Sequence, residues 1–245
     1  MLKKILIILI TTSALTLNVS ASSDGDLLMK KNNPSEVKDC FEGINRATFA
    51  FNQVLDGIIF QPVASAYRIL PSPVKTGVSN SLDNLSNLIT IPNNILQGDF
   101  AKAGTNTGRF AVNTTIGILG LFDVAKYLGL TELEKEDYGQ SLAKFGFGPG
   151  CYVVLPVIGP STARDAVGSI GNFMGGDAWY NVTVKNDTQY FNDMDYYLSK
   201  ITSGVDFRAK NYDAIKNIEK NSLDFYASVK SLYLQDRQQK ILNTN

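Results

Sequence analysis

The middle of the chain combines apolar residues with glycine at a density that restricts how it folds. Residues 116–122 read IGILGLF, and residues 145–150 read FGFGPG. Each glycine inside a helix costs about 1 kcal/mol relative to alanine, so these segments exclude one long regular helix. We predict short helices and tight turns here. Two interpretations stay open: a buried core rich in turns, or apolar surface presented to lipid.

Helical patterns lie before this segment. Apolar residues over 44–58 recur at steps of three and four, which places them on one face of a helix. Pro62 then punctuates the chain. A second helix is predicted over about 74–89 and should end at Pro92, because proline lacks the amide hydrogen that continues a helix. A third is predicted over 100–113.

The C-terminal part predicts one long amphipathic helix over about 209–240. A period close to 3.6 relates its apolar residues, with Ser222 at the missing step: Ile215, Ile218, Phe225, Val229 and Leu232. Such a helix packs on the rest of the domain, lies on a membrane surface or docks to a partner, and packing is the default. The fold class predicted from all segments is mainly α, built from short amphipathic helices with Gly/Pro-rich turns and little or no β structure.

The N-terminus has the pattern of a secretory signal peptide. Lys3 and Lys4 precede an apolar run over 5–17, and a small-residue cleavage site ends at Ala21. We expect residues 1–21 to be removed, 22–38 to form a flexible leader and 39–245 to form a single domain. No cysteine lies near the cleavage site, so the signal that directs lipid attachment in bacterial lipoproteins is not expected.

Composition and motifs exclude several classes of function. The 23 basic residues balance 23 acidic ones, so the electrostatic attraction needed for nucleic-acid binding is missing. The chain contains no histidine, which removes Ser-His-Asp and Cys-His nucleophiles and histidine-bearing zinc sites. We expect no metal and no cofactor. A binding or transport protein is therefore favoured over an enzyme.

Carboxylates and cysteines leave two questions open. The acidic run Glu132, Glu134, Glu136 and Asp137 is typical of a solvated helix end, yet paired carboxylates also allow hydrolase chemistry. Cys40 and Cys151 either form a disulfide, which persists in an exported protein, or remain two independent thiols.

Ordered sequence blocks resemble one known family. Residues 39–46 read DCFEGINR and precede Phe49, Phe51, Asn52, Leu55 and Asp56. This resembles the D-P-x-E-x-x-N-R-x-x-F-x-F-N-x-x-L-D opening of the MlaA (VacJ) family. Further blocks follow in the family's order, at 62–67, 71–74, 80–85, 94–98, 109–115, 137–140, 146–148, 152–156 and 159–165.

The resemblance implies a protein of the Gram-negative outer membrane that acts in retrograde phospholipid transport. It implies an α-helical ring that is embedded in the inner, periplasmic leaflet and encloses a central amphipathic channel. Phospholipids misplaced in the outer leaflet pass through it to a periplasmic carrier protein, which maintains lipid asymmetry, and a trimeric porin accompanies the ring. Two alternatives remain: an envelope scaffold or virulence-associated factor acting through porin contacts alone, and a carboxylate-dependent lipid hydrolase.

The same resemblance singles out polar residues of the motifs as candidates to line a lipid path: Asn45, Arg46, Asn52, Asn113, Thr114, Thr115 and Arg164. They either cap helices and satisfy turns, or guide phosphate and glycerol groups, with Arg46 and Arg164 as natural phosphate partners. Cys40 and Cys151 both stand where the family has proline, which implies that their two motifs touch and carry a disulfide.

Overall fold

The computed structural model describes residues 37–172, 176–185 and 191–242. The predicted signal peptide and all but the last two residues of the predicted leader lie outside the described residues. Helices dominate, so the prediction of a mainly α fold is confirmed. The α-helices in chain order are α1 (Glu42–Leu55), α2 (Gln61–Arg68), α3 (Ser72–Leu96), α4 (Phe100–Thr115), α5 (Tyr138–Lys144), α6 (Ala163–Gly171), α7 (Ala178–Tyr180), α8 (Asp193–Lys210), α9 (Tyr212–Asn221) and α10 (Phe225–Leu242).

A small antiparallel hairpin interrupts the helices between α5 and α6. Its strands are β1 (Tyr152–Leu155) and β2 (Gly159–Thr162). Tyr152 lies opposite Thr162, and Leu155 opposite Gly159. A cluster of buried apolar side chains forms where α10 packs over this hairpin: Tyr152, Val154, Tyr226 and Leu234. A second cluster packs against α3: Trp179, Val184 and Tyr196.

The predicted helix over 44–58 is present, and it does not break at Pro62. α1 continues through the π-helical turn Asp56–Phe60 directly into α2, where Pro62 lies in the first turn. Proline has no amide hydrogen to donate, and the π-helical turn directly before it, in which the amide of Gln61 donates to the carbonyl of Asp56 five residues back, already replaces the regular bonding pattern. The chain therefore continues without a loop.

The prediction that Pro92 ends the second helix is wrong. α3 contains Pro92 and runs on to Leu96. A proline inside a helix costs about 3 kcal/mol. The buried polar side chains of α3, described below, bind three neighbouring segments, and these contacts offset that cost.

The glycine-rich middle forms the short helices and turns that were predicted. After α4 the chain turns through Ile118, Leu119 and Gly120, whose φ angles are 53°, 55° and 86°. A Cβ atom on Gly120 would lie 2.6 Å from the Cβ of Asn84, so only glycine fits where this turn meets α3. A 3-10 helix follows at Ala125–Leu128.

The prediction of one C-terminal helix over 209–240 is wrong. α9 ends at Asn221, and Ser222 has extended backbone with ψ of 143°. The Asp224 carboxylate then accepts a hydrogen bond from the amide of Ala227 at 3.1 Å. Because Asp224 caps a new helix start, it competes with helix continuation, and α10 begins at Phe225.

Side-chain burial is inverted in much of this fold. In proteins that face water on all sides, isoleucine is mostly buried and asparagine mostly exposed. Here the fully buried side chains are largely polar, among them Thr90, Asn93, Asn94, Asn106 and Thr162. The large apolar side chains of the glycine-rich middle are exposed: Ile116, Ile118, Leu119, Phe122, Phe145 and Phe147. For these side chains the interpretation as a buried core is wrong, and the interpretation as apolar surface holds.

The predicted apolar face of α1 is exposed in the same way. Ile44 and Ile58 retain 68% and 70% of their accessible surface. Within the described residues, none of the helices combines the length and the apolar character needed to cross a bilayer.

Candidate functional site

A row of polar side chains follows the buried face of α3, and we call it the asparagine row: Asn84, Asn87, Thr90, Asn93 and Asn94. Steps of three residues lead from Asn84 to Asn93, and Asn94 lies four residues after Thr90, so these side chains share one side of the helix. The row joins α3 to α4 at two levels, because Asn84 donates to Thr114 Oγ1 at 2.8 Å and Asn106 donates to Asn94 Oδ1 at 2.9 Å. The two long helices therefore meet through amides.

The row also holds the segment that follows α4. Ser141 on α5 donates to Asn93 Oδ1 at 2.6 Å. Lys135 donates to Asn87 Oδ1 at 3.3 Å and to the backbone carbonyl of Asp83 at 3.0 Å. Buried polar groups are costly unless they are paired, so these contacts make a polar interior stable.

A cavity of about 470 Å³ lies beside the asparagine row. We call it the charged cavity. Its wall combines three amines, three carboxylates and one apolar side chain: Asp83, Lys102, Glu132, Leu133, Glu134, Lys135 and Lys240. Burial lowers the pKa of Lys135, and the negative charges of Asp83 and Glu132 only partly oppose this. A cavity of this volume is large enough for a small-molecule ligand or a lipid head group.

A second cavity, of about 340 Å³, has a different character. Apolar side chains, glycines and two hydroxyl-bearing residues form its wall: Leu96, Tyr138, Ser141, Leu142, Phe145, Val167, Gly168, Gly171 and Gly176. We call it the apolar cavity. α5 contributes to it through Leu142 and to the asparagine row through Ser141, so one helix borders a polar and an apolar environment.

Arg237 on α10 fixes the C-terminal helix to the rest of the fold. Its guanidinium donates to both oxygens of Asp137 at 2.6 Å and to Asp165 Oδ1 at 2.9 Å. Burial acts to raise the pKa of Asp165, but the charges of Arg237 and Arg164 outweigh it and lower the pKa to about 2. Gly139 lies against this network, since a Cβ there would be 2.4 Å from Arg237 Nη2.

Comparison with known proteins identifies the family. The model of the family described as MlaA lipoprotein matches residues 37–240. The chain belongs to the MlaA lipoprotein family. The resemblance inferred from the sequence blocks is therefore confirmed.

Several relatives of this MlaA-family chain cover most of its length. A protein of Rickettsia bellii is 36% identical over 208 residues, which is 84% of this chain and 78% of that protein. The Escherichia coli protein named intermembrane phospholipid transport system lipoprotein MlaA is 36% identical over 161 residues, 64% of this chain and 62% of that protein. The Haemophilus influenzae protein of the same name is 27% identical over 210 residues, 84% of this chain and 80% of that protein.

A solved structure is similar to most of this chain. It was determined to explain the structural basis for maintenance of bacterial outer membrane lipid asymmetry. The two chains align with a TM-score of 0.69 and 32% identity, and the alignment covers 84% of this chain and 99% of the other. The MlaA fold is thus shown by sequence and by structure.

Two of the motif asparagines clamp the hairpin in this MlaA-family chain. Asn45 donates to the carbonyl of Tyr152 at 3.0 Å and accepts from the amide of Val154 at 2.9 Å. Two helical turns later, Asn52 donates to the carbonyl of Leu155 at 2.9 Å. Each amide side chain pairs with the edge of β1 as a neighbouring strand would.

The disulfide lies in the same region. Cys40 and Cys151 are joined, with their Cα atoms 5.6 Å apart, across a separation of 111 residues. Cys40 lies two residues before the start of α1, and Cys151 directly precedes β1. The bond therefore links the same two elements that the asparagines clamp.

Both candidate arginines are paired within the protein. Arg46 donates to Glu42 at 2.7 Å and reaches both oxygens of Asp224, the nearer at 2.7 Å. Arg164 is buried and contacts Asp165 at 2.9 Å. These arginines connect α1 with the start of α10, and α6 with the Arg237 network.

The last three candidates lie at the end of α4. Asn113 donates to Asp123 Oδ1 at 2.9 Å and accepts from the amide of Ala125 at 2.9 Å, which holds the glycine-rich turn against α4. Thr114 accepts from Asn84. Thr115 is exposed and donates to the carbonyl of Ala111 at 2.7 Å. The candidates thus form separate groups, and none lines the charged cavity or the apolar cavity.

The acidic run divides between two environments. Glu132 and Glu134 line the charged cavity. Glu136 is buried and accepts from Gln97 at 2.9 Å, and burial raises its pKa. Asp137 caps α5 and binds Arg237. The run is therefore not one solvated helix end, and only its first half faces a cavity.

Proposed function

We propose that this chain removes phospholipids from the outer leaflet of the outer membrane and passes them to a periplasmic carrier protein, which maintains the lipid asymmetry of that membrane. The observation that carries the proposal is the inverted burial. Amides and charges occupy the interior of the fold, whereas isoleucine and phenylalanine side chains face outward.

A phospholipid needs both environments on its way out of a bilayer. Moving a charged head group past hydrocarbon costs several kcal/mol unless polar partners replace water. The asparagine row and the charged cavity supply such partners, and the apolar cavity offers a place for hydrocarbon. A protein with both environments lowers the free-energy barrier to moving the lipid, and this movement breaks no covalent bond. We therefore propose a transport component without catalytic activity.

The exposed apolar surface supports a location within one leaflet. Amphipathic helices with an apolar face lie in the membrane interface, and the outward faces of α1 and of the glycine-rich middle fit that description. We propose that residues 1–21 direct export, that residues 39–245 fold as a single ring-like domain in the periplasmic leaflet, and that a trimeric porin accompanies it there.

Extraction of the native protein in mild detergent tests the proposal, with lipid mass spectrometry and identification of the co-purifying proteins. We expect near-stoichiometric intact phospholipid together with a porin. A porin without lipid would favour the scaffold. Release of fatty acid or lysolipid would indicate a hydrolase. A lipid-free protein in the soluble periplasmic fraction would refute the proposal.

A variant of the outward face tests the location separately. Replacing Ile44 and Ile58 by aspartate removes apolar surface worth about 2 kcal/mol for each side chain if lipid covers it. We expect the double variant to bind phospholipid vesicles at least tenfold more weakly. Gln53→Asp is the matched control, because Gln53 is an exposed polar residue of α1 outside the predicted apolar face. Equal binding by both variants would place the membrane contact elsewhere.

A further inference from the structure

The charged cavity presents both signs of charge, which bears on the ligand that it accepts. Lys102, Lys135 and Lys240 come from three separate segments of the chain. Glu132 and Glu134 face the same space. A site for a purely anionic head group gains from its amines and loses from its carboxylates, since like charges repel. A ligand that carries a phosphate and an ammonium group interacts favourably with both sets.

The lysines differ in how firmly they are held. Lys135 is half-buried and bound to Asn87 and to the backbone of α3, so it forms the polar floor of the cavity. Lys102 and Lys240 lie nearer to solvent, where their amines are 3.6 Å from Asp99 and 2.8 Å from Asp236. Ion pairs that water partly reaches, between residues three or four apart, stabilise a protein little, so these two amines can also pair with a phosphate.

The two glutamates are placed for the opposite charge. Glu132 and Glu134 lie in the irregular segment that connects the 3-10 helix with α5. Both carboxylates are exposed, and the charge of Glu132 acts on the amine of Lys135 across the cavity. Carboxylates bind primary ammonium groups through charge-assisted hydrogen bonds.

We propose that the charged cavity binds the head group of a zwitterionic phospholipid, with its primary ammonium against Glu132 and Glu134 and its phosphate against Lys102 and Lys240. This inference rests on the proposed function and names the class of lipid that the chain prefers. Anionic phospholipids without an ammonium group bind more weakly, because they leave the glutamates facing negative charge.

Lipid retention from mixed vesicles tests the inference. The full chain is exchanged against vesicles that contain equal amounts of phosphatidylethanolamine and phosphatidylglycerol, and the retained lipids are quantified by mass spectrometry. We expect the wild type to retain about tenfold more phosphatidylethanolamine, an effect of about 1.4 kcal/mol. In the variant E132Q/E134Q the ratio should fall to about one, and E132D/E134D should restore it.

Three controls distinguish the possible failures. Glu219→Gln on α9 changes an exposed carboxylate outside the cavity wall and should leave the ratio unchanged. K102Q/K240Q should lower the retention of both lipids. Soluble glycerophosphoethanolamine should compete poorly, and competition equal to that of the lipid would overturn the inference in favour of a free head-group ligand.

The failure of this inference is distinguishable from the failure of the proposed function. Retention of intact phospholipid with no preference between the two classes, or with a preference that survives in E132Q/E134Q, overturns the head-group assignment alone. A wild type that retains no phospholipid overturns both.

Discussion

Asn45 offers a quantitative test of how the hairpin is held. Asn45→Ala removes the side chain that pairs with the carbonyl of Tyr152 and the amide of Val154. Tyr152 has no exposed surface and Val154 almost none, so water cannot replace the lost partner. Each buried backbone group left unpaired costs about 1–3 kcal/mol. With two such groups, we expect the variant to lose roughly 2–6 kcal/mol of unfolding free energy.

Asn45→Asp is the more discriminating variant. Aspartate has the shape of asparagine and can still accept from the amide of Val154. Its carboxylate, however, would face the carbonyl of Tyr152 and the carboxylate of Asp39, to which Asn45 now donates at 2.7 Å. Acceptors opposed in this way repel each other. We therefore expect Asn45→Asp to be at least as unstable as Asn45→Ala, although it changes the side-chain volume far less.

Urea unfolding in detergent, followed by far-ultraviolet circular dichroism, measures both losses. Asn52 is the internal control, because it makes the same kind of pair with Leu155 and Val157 at the exposed end of the hairpin. Water can replace its side chain there, so we expect Asn52→Ala to lose about 1 kcal/mol. The reasoning fails if Asn45→Asp is clearly more stable than Asn45→Ala, or if the two alanine variants lose the same amount.

Further predictions concern the charge network, the disulfide and two glycines. Because the pKa of Asp165 is about 2 in the folded protein against an ordinary 3.8, its carboxylate contributes about 2 kcal/mol of stability above pH 4, and this contribution is lost as the pH falls through 2. The unfolding free energy of Asp165→Asn should therefore fall less steeply on acidification. Reduction of the bond between Cys40 and Cys151 should lower stability by about 4–5 kcal/mol, and C40S/C151S should not respond to reductant. Gly139→Ala should lose at least about 2 kcal/mol through a clash with buried groups. Gly104→Ala, in open space on α4, should gain about 0.5–1 kcal/mol by thermal unfolding.

Local pattern predicted α1, α3, α4 and the region of α9 and α10, but not where these helices end. The period of apolar residues located α1, and the third predicted helix corresponds to α4. Pro92 and Ser222 were misjudged for opposite reasons. At Pro92 the tertiary contacts of α3 override a local preference against helix, and at Ser222 the cap formed by Asp224 overrides a local preference for helix. No pattern located the shorter helices α2, α5, α6 and α7, or the 18-residue α8.

Periodicity did not show whether the apolar face of a helix is buried in the protein or exposed on its surface. A stripe such as the one containing Ile44 and Ile58 has the same spacing whether it faces a protein core or lipid. The polar face of a helix was more informative about which side is buried. On α3, asparagines recur at the helical period, and a row of amides with that spacing points to a polar interior.

The candidate site was predictable only in part. Motif resemblance singled out Asn45 and Asn52, which the structure places at the hairpin and away from both cavities. The charged cavity draws Lys102, Glu132 and Lys240 from segments far apart in the chain. No local pattern connects them, because they come from α4, from the segment before α5 and from α10, which only the tertiary fold brings together.

The inverted burial has a thermal consequence. Unfolding usually raises the heat capacity by about 12–15 cal/mol/K per residue, because apolar groups become hydrated, whereas newly hydrated polar groups lower it. In this fold the groups released from the interior include the amides of Asn93, Asn94 and Asn106, while many isoleucine and phenylalanine side chains already face outward. The heat-capacity increment should therefore be small. A small increment flattens the curve of unfolding free energy against temperature. The free energy of unfolding should therefore change little between cold and warm conditions.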